Sequence, residues 1–194
     1  MRHTNDVKIK CVRYTIFIQD AIRVFESGLK EDKTMDYIMS ELKKICDKES
    51  FKEEDCKILL DSAIQMLRIG KMAKFEGLLS LLSLLGDPDF LEDLNSLCER
   101  YNVAPLDRTS FEWNLCNLLE EVTMGVDQKD IRKMGMVTMC TSNLTCLEFV
   151  QYAIWLEGVL DIQAGVHQRT IRKLVASYLP MNIRKTFMEV TENE

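Results

Sequence analysis

The chain of 194 residues reads as two look-alike halves joined by one linker, and this constrains its fold more than any single motif. Phe17 and Phe111, Glu26 and Glu120, and Asp36 and Asp130 all stand 94 positions apart. Farther along, Cys56, Ala63 and Ile64 match Cys146, Ala153 and Ile154 at a separation of 90. Asp89-Phe90 then lines up with Asn182-Ile183, and Leu94 with Phe187. Short loop insertions produce such small changes of offset. A period near ~90 residues is a small helical domain, too long for an ordinary helical-pair repeat.

Each half is built from helical apolar periodicity, with no convincing strand. The spacing predicts about ten helices. In the first half they fall at 11–29, 34–47, 58–67 and 75–85, with one more after Pro88. Ser50 is expected to cap the third, with Glu53 completing a capping box. Gly86 is expected to end the leucine-rich fourth. In the second half the helices fall at 111–123, 127–140, 146–160, 166–178 and 181–192, the third started by Asn143 or Thr145. The one stretch that reads as a linker is 101–110, "YNVAPLDRTS", which places the domains at 1–102 and 107–194.

Composition narrows the class. Apolar residues at 46% and charged residues at 29% suit a folded globular chain rather than a disordered one. A net charge of −6 argues against a broad phosphate-binding surface, so no nucleic-acid partner is expected. The basic run 169–173 reads as a solvated helix face. The seven cysteines, at 11, 46, 56, 98, 116, 140 and 146, form no CxxC pair and mostly sit in helical apolar patterns. They read as buried thiols of a reducing compartment, and the expected location is cytoplasmic. The N-terminus lacks a signal-peptide apolar core, and no window reaches membrane-spanning length without charge.

Catalytic and metal chemistry find little support. His3 and His167 have no ligand spacing to any cysteine. Cys140 or Cys146 beside His167 lacks the flanking signature of a nucleophile pair, and Glu120-Glu121 diverge as adjacent helical positions must. Gly70-Lys71 lacks the preceding pattern of a phosphate loop. The expectation is a non-enzyme without cofactor or metal. Trp113 and Trp155 read as packing anchors, with Phe111 and Trp113 holding the linker against both halves.

The residue pattern resembles the tandem death effector domains of the viral and cellular FLICE-inhibitory proteins and the initiator-caspase prodomains. "EEVTMGVDQKDIRKMGMVTMC" is similar to the family's passage from first to second helix, with Ile131, Met134, Met136 and Val137 at the apolar positions of the second. "LEFVQYAIWLEGVLD" is similar to the fourth helix, and "VHQRTIRKLVASYLPMNIRKTF" to the fifth and sixth. "LLSLLSLLGDPDFLEDL" is similar to the fifth-to-sixth passage of the first half. The family's Arg-x-Asp-Leu signature, whose charges join an acid on helix two, departs to Asp87-Pro88-Asp89-Phe90 and Pro180-Met181-Asn182-Ile183. Asp36, Asp89 and Asp130 keep their places, but without the arginine they form no charge triad.

The resemblance implies an all-α fold of two six-helix death-fold bundles packed side by side. It implies homotypic interaction that modulates, by inhibition, death-receptor and caspase signalling in apoptosis, with a host-modulating role as in the viral members. A chain ending at Glu194 is expected to act without a protease domain. The implied partners are a death-effector-domain adaptor or an initiator caspase, with self-association left open. The implied partner-binding residues are Asp36, Asp89, Phe90, Asp130, Met134, Met136, Val137 and Asn182. Met134, Met136 and Met139 cannot all face inward from one helix, so a partly exposed methionine patch is expected. A second reading stays open. Leu82-Ser83-Leu84-Leu85-Gly86-Asp87 fits the Leu-x-x-x-Gly-Asp helix of the Bcl family, although Pro88 interrupts it and no Asn-Trp-Gly-Arg follows. That reading predicts a single Bcl-like helical bundle. An uncharacterised helical interaction bundle is the third.

Overall fold

The computed structural model describes residues 51–85, 91–142 and 144–192. Every regular element among them is helical: α1 Glu53–Glu76, a 3-10 turn Leu78–Ser80, α2 Leu81–Leu84, α3 Leu91–Tyr101, α4 Trp113–Thr123, α5 Gln128–Thr141, α6 Cys146–Gln163, α7 Gln168–Tyr178 and α8 Met181–Val190.

α1 is longer than the 58–67 that the periodicity suggests, and its N-cap, Lys52, stands two residues after Ser50. Its first turn carries Glu53, Glu54 and Asp55, which complement the positive end of the helix dipole. The Asp55 carboxylate accepts the Lys52 N–H at 3.1 Å, so Lys52, not Ser50, marks the helix start. The helix then runs through Gly70 to Glu76, where the sequence suggests a separate helix over 75–85. Gly70 does not break it because the missing side chain serves packing: a Cβ there would lie 3.3 Å from Ile162 Cγ1 on α6. The break comes at Gly77, whose φ of +87° only glycine adopts without strain. Ser80 Oγ donates to the Gly77 carbonyl and Ser83 Oγ to the Ser80 carbonyl, both at 2.6 Å. These bonds hold the leucine-rich stretch as a 3-10 turn and the one-turn α2.

The linker is tied down rather than extended. α3 ends in a Schellman arrangement, with Asn102 left-handed at φ 51° and Val103 N–H donating to the Cys98 carbonyl at 3.0 Å. From α1, Arg68 Nη1 donates to the Asn102 carbonyl at 3.0 Å, and Gln65 Nε2 to that of Ala104 at 3.3 Å. Asp107 accepts from both the backbone and the hydroxyl of Thr109. Arg108 Nε donates to the Leu85 carbonyl at 2.8 Å, while Arg108 Nη2 pairs with the Glu120 carboxylate. One guanidinium thus joins the end of α2 to α4. Phe111 stacks on the fully buried Trp155 at 5.2 Å between ring centroids. Trp155 is the packing anchor expected of it. Trp113 is not, since 47% of its surface is exposed.

The second-half helices start where their caps stand. Asp127 accepts the Lys129 N–H ahead of α5 at 2.9 Å, and Thr145 and Glu148 form the capping box of α6. His167 Nδ1 accepts the Arg169 N–H ahead of α7 at 3.2 Å. A turn recurs within this half: Gly125-Val126-Asp127-Gln128 and Gly165-Val166-His167-Gln168, each followed by a basic residue, one variable position and Ile-Arg-Lys. Both glycines are left-handed, and both isoleucines, Ile131 and Ile171, are buried. Each glutamine reaches a carbonyl on a long helix: Gln128 Nε2 meets Leu160 on α6 at 3.0 Å, and Gln168 Nε2 meets Leu67 on α1 at 2.6 Å.

The most extensive helix pairing joins α1 to α6, across the linker. The two run parallel: Ser62 Oγ accepts from Gln151 Nε2 at 2.9 Å, Met66 lies against Gly158, and Gly70 faces Ile162. These partners sit within two residues of the repeat separation of 90, so positions equivalent in the repeat are neighbours in space. One apolar core runs without a break from Leu59, Met66 and Met72 on α1 through Leu115 and Leu119 on α4 to Trp155 and Val159 on α6.

Candidate interaction surface

α5 sorts its apolar residues onto two faces. Ile131, Gly135, Met136 and Met139 recur at helical spacing and are buried. Met134 and Val137, one turn apart, point the other way and are 45% and 48% exposed. Met136, expected on the partner-facing patch, is only 5% exposed and belongs to the core. The reason is its angular position, close to Met139 and far from Met134 around the helix. The exposed methionine patch is therefore Met134 with Val137.

Gly135 sets how closely α5 lies on α6. A Cβ at this position would come within 2.5 Å of Leu156 Cδ1 and 2.7 Å of its Cδ2. Beside this close approach a groove of 380 Å³ opens between α4 and α5. Trp113 and Met134 edge it, Tyr152 of α6 lies at its base, and Asn117, Glu120 and Glu121 come from α4. Among the described residues lining it, the charged ones are both glutamates. Burial pushes the Tyr152 phenol above its ordinary range, against a hydrogen bond with Thr138.

In the second half, no hydrogen bond or ion pair joins the two described charge-triad positions, Asp130 and Asn182. Asp130 is exposed in the first turn of α5, and no hydrogen bond or ion pair among the described residues engages its carboxylate. Asn182 is exposed in the first turn of α8 and donates through Nδ2 to Cys56 Sγ on α1 at 3.4 Å. Other arginines fix the α7–α8 junction instead. Arg184 Nη2 donates to the Leu179 carbonyl at 2.9 Å, and Arg172 reaches the Met188 and Thr191 carbonyls at 3.0 and 3.1 Å. Asp36, Asp89 and Phe90 lie outside the described residues. So do Gly86 and Asp87 of the alternative motif, whose leucines fall at the one-turn α2.

A buried acid lies where α5 meets α6. Asp161 is 7% exposed, and its Oδ2 has no hydrogen-bond partner among the described residues. Burial first, then the neighbouring Glu157 carboxylate, push its carboxyl up to about 6, against the pull of Arg132. Arg132 lies 4.0 Å from Glu157. At the C-terminal end of α1, Glu76 accepts from Tyr101 Oη at 2.6 Å and pairs with Arg100, and these bonds hold its carboxyl below the ordinary range.

His167 Nδ1 is engaged as the α7 cap. Among the described residues no group of histidine, cysteine and acidic side chains could hold a metal ion, and no helix is long and apolar enough to cross a membrane. No protein-family model matches the chain, and neither does any curated protein or solved structure.

Proposed function

We propose that this chain is a non-catalytic interaction protein of the tandem death-effector type, which modulates death-receptor and caspase signalling by presenting a partner-like surface. In this reading it sits in the cytoplasm, binds a death-effector-domain adaptor or an initiator caspase, and inhibits by occupying the place of a protease-bearing partner. The observation that carries the reading is the parallel pairing of α1 with α6 close to the repeat register, which is what two copies of one ancestral unit docked in like orientation would give. Against the six helices of the family's unit, the described residues of the second half form five, α4 to α8, with none between α5 and α6. An exposed apolar pair, Met134 and Val137, on the helix that corresponds to the family's second adds support.

The missing arginines bear on how the surface works. With Asp130 unpaired and Asn182 turned to Cys56, recognition rests on the apolar pair rather than on a charge triad. The test is direct binding of the purified full chain to a death-effector adaptor and to an initiator-caspase prodomain, by size-exclusion chromatography and calorimetry. Binding to either, lost in a Met134→Asp, Val137→Asp variant that still folds, is the expected result. Absence of binding to both removes the reading.

A further inference from the structure

The groove between α4 and α5 has two chemically distinct ends. Trp113 opens α4, while Glu120 and Glu121 stand in its last turns, about 10 Å away at a helical rise of about 1.5 Å per residue. Met134 lies across from α4 on α5, and Tyr152 lies at the base. The end at Trp113 is therefore apolar and exposed, and the other carries carboxylates. Arg108 approaches Glu120 from the linker, which leaves Glu121 as the carboxylate without an ion pair among the described residues. Among the described residues lining the groove, no lysine or arginine balances it.

We infer that this groove docks a basic amphipathic helix of a partner protein, its apolar side chain resting on Trp113 and Met134 and its lysine or arginine, about two turns on, meeting Glu121. Charge complementarity selects this occupant: an acidic helix would face Glu121 with like charge, and a wholly apolar one would leave its carboxylate desolvated. The groove volume of 380 Å³ admits the side chains of a helix lying along it rather than the helix itself. Helix-in-groove recognition reads such anchors at whole-turn spacing, and adaptable methionine suits the apolar end. The inference deepens the reading as an interaction protein and rests on it, but its occupant is defined by charge rather than by kinship to effector domains.

The experiment titrates the full chain, with labelled tryptophan and methionine methyl groups, with a stapled helical peptide carrying one leucine and one arginine two turns apart. A second peptide replaces that arginine by citrulline, which keeps shape and removes charge. The expected result is saturable shifts of the Trp113 and Met134 signals, with binding weakened roughly three- to fivefold by citrulline or by Glu121→Gln, the range of a solvent-exposed ion pair. Trp113→Ala, an exposed position that tolerates truncation, weakens both peptides alike. Equal binding of the two peptides, indifference to Glu121→Gln, or shifts elsewhere on the chain overturns the inference. Failure to bind effector-domain adaptors, with the peptide still binding, would remove the proposed signalling role and leave the groove intact.

Discussion

The side-chain amide of Gln168, at the first turn of α7, donates to the backbone carbonyl of Leu67 in the middle of α1, 2.6 Å away and 101 residues earlier in the chain. A carbonyl inside a helix already accepts one hydrogen bond, and this second donor reaches it across the boundary between the two halves. Gln128 does the same for Leu160 on α6. The turn that ends in a glutamine is therefore a clamp used twice, once within the second half and once between the halves.

Replacing Gln168 by alanine is expected to lower unfolding stability by about 1–1.5 kcal/mol, the net worth of one such bond. Gln128→Ala is expected to cost less, because Gln163 Nε2 donates to the Val126 carbonyl and holds the same turn. Urea unfolding followed by circular dichroism compares the two. Equal losses would show that the clamp across the halves carries no special weight.

Gly135→Ala tests the close approach of α5 to α6. Alanine gains about 1 kcal/mol in helix propensity over glycine. Three atoms of Leu156 stand in the way, however, the nearest at 2.5 Å, so rotating one methyl aside does not make room. Overpacking of this kind costs about 1–3 kcal/mol, and a net destabilisation of up to about 2 kcal/mol is expected. Gly158→Ala meets the flexible end of Met66 at 2.7 Å and is expected to cost less. A stabilised Gly135→Ala protein would mean that α5 rides farther from α6 in solution.

The sequence shows these features unevenly. The starts of α5, α6 and α8 stand within one or two residues of expectation because Asp127, the Thr145–Glu148 pair and Pro180 act locally. The unbroken course of α1 could not be read from it, since Gly70 breaks or continues a helix according to whether Ile162 fills the space beside it. Trp113 and Trp155 look alike as a pair of large apolar residues, and only the arrangement of neighbouring helices leaves one at the surface. The glutamine turn was there to be found: Gly-Val-x-Gln followed by Ile-Arg-Lys recurs at a separation of 40. The longer repeat of about 90 residues does not contain it, because both copies fall within the second half.

Asp161 makes stability depend on pH. Its carboxyl titrates near 6 in the folded chain against an ordinary value of 3.8, so the folded state holds the proton more tightly than the unfolded one. The contribution is fully present below the unfolded value, is lost as pH rises through about 6, and is flat above that. Asp161→Asn is expected to remove this slope and to raise stability at neutral pH by about 1–3 kcal/mol, because a neutral amide escapes the desolvation of a carboxylate. Unfolding curves from pH 4 to pH 8 check it. An unchanged slope in the variant would assign the effect to another group.

Met136 and the pair Met134 and Val137 separate folding from binding on one helix. Met136 is buried beside Met139, so Met136→Asp places a carboxylate in the core and is expected to cost more than about 3 kcal/mol, read as a large drop in melting temperature. Met134 and Val137 are half exposed, and aspartate there meets water. That double variant is expected to change stability by no more than about 1 kcal/mol while abolishing partner binding. Thermal melts and calorimetry on the same preparations read the two effects apart. If Met136→Asp melts like the parent chain, α5 is rotated from the position described, and the surface that Met134 and Val137 present has to be redrawn with it.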